Sequence, residues 1–198
     1  MNIAREGYPF GMFFGLVEDG LDDQGRIKYI DQNQDGEINA LDRIIIGNPY
    51  PDFIYGINSD FAYKGFELNV FVEGVYGNDI FWATAGNNLN SFQRGSNQFR
   101  DLIGNYWTAE NPNPNAKYPR VSSTSPLDVS DRFIEDGSYL RFKSVRLAYI
   151  IPIAKLTNSR LKRAQIYVSV INLFTITFYP GIYPDVNTTV SDSQGVGD

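Results

Sequence analysis

The chain has 198 residues, 17 basic and 23 acidic, for a net charge of −6, and it contains neither Cys nor His. Those two absences exclude thiol catalysis, His-based proton transfer, the usual zinc sites and Ser-His-Asp triads, and an acidic chain without a Lys/Arg cluster is a poor nucleic-acid binder. A hydrophobic content of 42% excludes wholesale disorder, while 13 Tyr, 14 Phe, 18 Gly and 10 Pro favour strands and turns over helices.

Asn2 to Gly7 carry no apolar run and therefore no signal peptide. From Tyr8 to Val17, Tyr8, Phe10, Met12, Phe14 and Leu16 fall on one face, which predicts a first strand. A long connection, Glu18 to Asp52, follows. Phe53, Tyr55, Ile57, Phe61 and Tyr63 then alternate with Gly56, Asn58 and Asp60, a second strand. A tight Lys64-Gly65 turn leads into a third, where Phe66, Leu68, Val70 and Val72 alternate with Glu67, Asn69 and Glu73. Tyr76 to Ser138 is a second long connection. Tyr139 to Ile151 is the fourth strand, and its apolar phase changes between Phe142 and Val145, as a bulge near Lys143-Ser144 would cause. Pro152 to Lys162 is a shorter link, and Arg163 to Phe174 is the fifth strand. Ala164 to Pro184 has no charged residue, but Gln165, Asn172, Pro180 and Gly181 interrupt it, which rejects a membrane helix in favour of a strand and loop.

The connections discriminate better than the strands. Links of about 35 and about 60 residues are unusual in a compact soluble domain, whereas outer-membrane barrels combine long extracellular loops with short periplasmic turns. Strands of about 9–11 residues also suit a tilted crossing of a bilayer. The fold class expected is all-β: about five antiparallel strands of a larger transmembrane β-barrel. Under that reading Glu18–Asp52 and Tyr76–Ser138 are extracellular, and Lys64-Gly65 and Pro152–Lys162 periplasmic. A soluble, secreted, calcium-dependent β-sandwich binding module remains the alternative, because its polar strand faces would simply meet solvent.

One segment carries recognisable ligand chemistry. Asp31 to Asp42 reads as a 12-residue calcium loop, with Asp31, Asn33 and Asp35 at positions 1, 3 and 5. Gly36 permits the sharp turn, Glu37 offers its backbone carbonyl, Asn39 stands at position 9, and Asp42 closes the loop. An Asp replaces the closing Glu of an EF-hand, which resembles the Asp-ending loops of dockerin modules. Oxygen-only donors point to Ca2+ or a similar hard cation in a structural role, and an Asx-rich turn is the plainer alternative. Trp82, Tyr106 and Trp107 in the second long connection are candidates to stack on substrate, or equally to fold that connection on itself. Asp22-Asp23 and Glu135-Asp136 make no defensible acid/base pair, and no catalytic residue or organic cofactor site is assigned.

Several stretches are similar to the C-terminal part of SusC/RagA-type TonB-linked outer-membrane receptors. They include Gly7-Tyr8-Pro9-Phe10-Gly11, Tyr29-Ile30-Asp31 through Gly36, Tyr63 to Leu68, Gly77-Asn78-Asp79-Ile80 and Trp107-Thr108-Ala109-Glu110-Asn111-Pro112. Ile134 to Arg141 and Asn172-Leu173-Phe174-Thr175 are the most telling. The resemblance runs along nearly the whole chain in the family's order. It implies a barrel of roughly 22 strands with an N-terminal plug, lying in the cell outer membrane among its lipids. It also implies import of oligosaccharides or peptides, a SusD-like surface lipoprotein over the mouth, and energy from TonB. On that resemblance residues 1–198 are expected to be a receptor fragment lacking signal peptide, plug, TonB-contacting segment and closing strand, and not an enzyme.

Overall fold

The computed structural model describes residues 2–82, 99–121, 128–153 and 163–185. The described residues divide into two units, 1–53 with 77–136 and 54–76 with 137–198. No described helix is long and apolar enough to cross a membrane, which says nothing about crossing by strands.

The second unit is an antiparallel sheet. Its path is β11 (Ala164–Ile171), β10 (Tyr139–Ile151), β7 (Phe66–Tyr76) and β6 (Phe53–Tyr63), with the short β12 (Thr175–Thr177) also pairing to β10. β6 and β7 are joined by the expected two-residue turn. Both turn residues lie at positive φ, Lys64 at 47° and Gly65 at 88°, the left-handed pair that matches strand twist in a tight hairpin. The β10–β7 ladder sets Arg141 opposite Glu73, Arg146 opposite Asn69 and Tyr149 opposite Phe66. It shifts register between Phe142 and Ser144, so the expected bulge is present. The extra residue at Lys143 is answered across the ladder, where Asn172 at φ 52° interrupts the chain between β11 and β12. The Asn172 and Leu173 amides there donate to the Lys143 and Phe142 carbonyls at 2.9 and 3.0 Å.

Because side chains alternate along a strand, this register sorts the sheet into two faces. One carries Ile57, Phe61, Tyr63, Phe66, Leu68, Val70, Leu147, Tyr149, Ile166 and Val168, with Phe66 and Tyr149 rings 4.7 Å apart. Much of it is uncovered: Phe61 is 62% exposed and Ile166 66%. The other face carries Asn58, Asp60, Glu67, Asn69, Glu73, Arg141, Arg146, Gln165 and Ser169.

The first unit is built differently. β2 (Met12–Gly15) lies between β1 (Asn2–Ile3) and β5 (Ile44–Gly47). β3 (Glu18–Leu21) pairs with β4 (Ile27–Tyr29), and β8 (Asp79–Phe81) with β9 (Ile134–Asp136). Met12, Phe13, Leu16, Leu21, Leu102 and Phe133 are buried here, and Phe81 contacts both Phe13 (6.3 Å between centroids) and Phe133 (6.0 Å). Two expectations change. The predicted first strand, Tyr8–Val17, is shortened to β2, because a turn closes at Tyr8 (amide to the Arg5 carbonyl, 3.2 Å) and Gly11 adopts φ 86°. It pairs with β1 and β5 outside the long sheet, whose fifth member is β12. The long connections also carry strands: β3, β4 and β5 lie within Glu18–Asp52, and β8 and β9 within Tyr76–Ser138. Of the link Pro152–Lys162, residues 154–162 lie outside the described residues.

Candidate functional site

The 31–42 loop has the conformation its sequence demands. Gly36 sits at φ 85° where the turn reverses. Asp31 accepts the Gln34 amide at 2.7 Å through Oδ1 and the Gly36 amide at 2.8 Å through Oδ2. Asn33 Oδ1 accepts the Asp35 amide at 3.0 Å, and Asp35 Oδ1 accepts the Glu37 amide at 2.8 Å. Asn39 and Asp42 do different work. Asn39 caps the single 3-10 turn Ala40–Asp42, accepting the Leu41 amide at 2.8 Å, and its Nδ2 donates to the Glu37 carbonyl at 3.3 Å. Asp42 is 0% exposed and reaches back to accept the Asn39 amide at 2.8 Å and the Gln32 amide at 2.9 Å. The Asn39 hydrogen bond leads in holding the Asp42 carboxyl below the usual carboxylate range, against the opposing effect of its burial. Among the described residues no three acidic side chains are drawn together as a metal cluster. As placed, Asp42 is therefore a staple across the loop ends, and Asp31, Asn33 and Asp35 form its oxygen-bearing rim.

The three candidate stacking aromatics each have a different neighbour. The Trp82 ring lies 5.2 Å from that of Phe99. Trp107 packs over Gly25, where a Cβ would come within 2.3 Å of the indole, so only glycine permits the contact. Tyr106 is partly exposed and bridges to Tyr118 through the backbone.

The carboxylate pairs are equally separate. Asp22 accepts the Gln24 and Arg26 amides at 2.9 and 2.8 Å, and pairs with the Arg26 guanidinium at 2.7 Å. Glu135 and Asp136 are consecutive in β9 and project to opposite sides. Burial raises the Glu135 carboxyl, with Lys117 acting weakly against it. Burial, with Asp128 and Glu18 nearby, pushes the Tyr29 phenol up to about 12.

The polar face of the long sheet holds ion pairs and hydrogen bonds that the motifs did not reveal. Arg141, 4% exposed, donates from Nη1 to Asp185 at 2.5 Å and from Nε to Thr175 at 2.9 Å. Lys143 pairs with Glu73 at 2.9 Å. Farther along the sheet Asp60 accepts both Asn69 (2.6 Å) and Asn58 (2.9 Å) amides, and Glu67 accepts Gln165 at 2.8 Å. Alternation places Glu67, Asn69 and Glu73 together, but the cations beside Glu73 come from β10 and the partners of Glu67 from residues 163–165, so they become visible only once the register is known.

An open antiparallel sheet with an exposed apolar face and a polar opposite face fits the wall of a transmembrane β-barrel. No family model matches the chain. TonB-dependent receptor P3 of Formosa agariphila is 32% identical over 208 residues, which span 97% of this chain and 20% of that protein. TonB-dependent receptor SusC of Bacteroides thetaiotaomicron is 24% identical over 191 residues, 94% of this chain and 18% of the relative. Among solved structures, the RagAB peptide transporter matches with a TM-score of 0.78 and 23% identity, over 92% of this chain and 21% of that one. The RagAB peptide importer in its open-open state matches with a TM-score of 0.75 and 22% identity, over 90% and 20%. The chain belongs to the SusC/RagA-type TonB-dependent receptors as a segment of their barrel. It spans about one fifth of the length of these relatives.

Proposed function

We propose that this chain forms part of the wall and surface loops of an outer-membrane importer for oligosaccharides or peptides, working with a SusD-like lipoprotein and driven through TonB. The observation that carries the reading is the sheet of β6, β7, β10 and β11, whose aromatic and aliphatic face is exposed while its opposite face is charged. Exposed apolar surface on that scale is stable against lipid and hazardous in water. It also argues against the soluble sandwich, in which this face would be the buried one. The importer role has the support of the match to the RagAB peptide importer. No chemical step is assigned to the chain.

Orientation follows from the turns. The two-residue Lys64-Gly65 turn belongs on the periplasmic side, and the first unit, formed from the long connections, on the cell surface. In the intact receptor on whole cells, protease or antibody should reach residues 18–52 and leave Lys64-Gly65 untouched. Cleavage confined to the short turns would reverse the assignment.

The 31–42 loop is further proposed to take Ca2+. Asp31, Asn33 and Asp35 present side-chain oxygens with lone pairs left over from their amide hydrogen bonds, Glu37 adds a carbonyl, and Asn39 and Asp42 close the loop ends. Asp31, Asp35, Glu37 and Asp42 put four like charges within 12 residues of sequence, and a cation would relieve their mutual repulsion. Titration calorimetry on the intact receptor should show calcium heat that disappears in an Asp31→Asn/Asp35→Asn variant. No heat in the unsubstituted receptor would remove the metal.

A further inference from the structure

On the polar face of the sheet, Arg146 stands apart from its charged neighbours. Its guanidinium lies 4.6 Å over the Tyr167 ring, the diagonal neighbour on β11, since Ser169 and not Tyr167 is its direct partner. The nearby carboxylates have other partners: Asp60 holds the Asn58 and Asn69 amides, and Glu67 holds Gln165 with Arg163 at 4.0 Å. Among the described residues the Arg146 side chain makes no hydrogen bond or ion pair, and it borders a cavity of about 240 Å³ together with Asp60, Glu67 and Asn69. A guanidinium stacked on an aromatic face has its plane fixed and its N–H fork directed along that plane, the geometry that grips a two-oxygen anion.

We propose that Arg146, seated on Tyr167 beside this cavity, is an oxyanion-binding subsite for a carboxylate or sulfate group of a dissolved ligand. The proposal rests on reading this face as lumenal. Asn69 borders the same cavity and offers amide chemistry to the rest of a polar ligand. Asp60 and Glu67 disfavour a polyanion, so the site selects a single oxyanion on an otherwise neutral or zwitterionic molecule.

The test uses the purified intact receptor and phenylglyoxal, which modifies unpaired arginines, with the product at Arg146 read by mass spectrometry. In chloride Arg146 should react. Sulfate or acetate at equal ionic strength should slow it several-fold, and Tyr167→Ala should abolish most of that protection. Protection should also follow saturable dependence on the anion. An Arg146 already unreactive in chloride would mean that a carboxylate of the receptor itself occupies the fork, and would overturn the proposal. Reaction indifferent to sulfate and acetate would overturn it too. A separate measurement tests the lumenal reading: a water-soluble maleimide should label Ser169→Cys and not Val168→Cys. The opposite labelling would sink the lumenal reading itself, whereas normal labelling without anion protection removes only the subsite.

Discussion

The two units are made from one amino-acid vocabulary and stabilised in opposite ways. The first buries Met12, Phe13, Leu16, Leu21, Leu102 and Phe133 in a core of its own. In the second, Ala148 and Pro184 are the apolar side chains of the described residues that are buried, while Phe61, Ile166 and Val168 remain exposed. The first unit thus follows the rules of a water-soluble domain, in which burial supplies the driving force. The sheet follows those of a membrane wall, where ladder hydrogen bonds and contact with lipid replace a core. The first kind of order lets a segment hold its shape in water. A barrel segment needs the second.

That contrast can be broken by substitution. Phe133 is 2% exposed and touches Phe81 edge-on, so Phe133→Ala should destabilise the first unit by about 3–5 kcal/mol, the cost of an aromatic cavity. Hydrogen exchange on the intact receptor should show faster exchange at β8 and β9 and unchanged exchange at β10. If both units lose protection equally, they are one cooperative block and the contrast fails.

A smaller effect is expected at Glu18, which pairs with Arg132 and connects two distant parts of the first unit. Glu18→Gln should cost about 2 kcal/mol through weakening a charged hydrogen bond, read by the same exchange at β3. The sheet should be unaffected.

Acid should sharpen the contrast further. The Asp42 carboxyl lies below its ordinary value, so its ionised form stabilises the 31–42 loop. That contribution is fully present above about pH 4, the unfolded value, and is lost as pH falls through the lowered folded value. Proteolysis within 31–42 by an acid-active protease should accelerate below about pH 4, and less so in Asp42→Asn, which has no carboxylate to titrate. A loop equally resistant throughout would discount the staple.

The smallest change is predicted on the apolar face. Leu147→Ala should shift stability in detergent by within about 0.5 kcal/mol, because the side chain fills no protein cavity. A loss comparable with that of Phe133→Ala would reveal a covered face and favour the sandwich.

Much of the sheet was legible in the sequence. Period-2 alternation marked β6, β7, β10 and β11, Lys64-Gly65 marked the hairpin, and the phase change in Tyr139–Ile151 marked the bulge found between Phe142 and Ser144. These are local consequences of where successive side chains point, so a single segment suffices to show them. The Gly36 turn in the 31–42 loop was legible for the same reason. Alternation misled at Tyr8–Val17, where a turn at Tyr8 and the positive φ of Gly11 end the strand early.

Pairing is another matter, since it joins segments far apart in the chain and depends on which register buries or balances the most groups. The tertiary structure alone set Arg141 against Glu73 and Asp185, stacked Arg146 on Tyr167, and enclosed Trp107 over Gly25. It also turned Asp42 inward onto backbone amides and gathered the two long connections into a unit with its own core. The sequence by itself determined the faces of the strands, because alternation is a property of one backbone. Only the tertiary structure decided which charges meet on them, because an ion pair across a sheet exists only in one register of two strands.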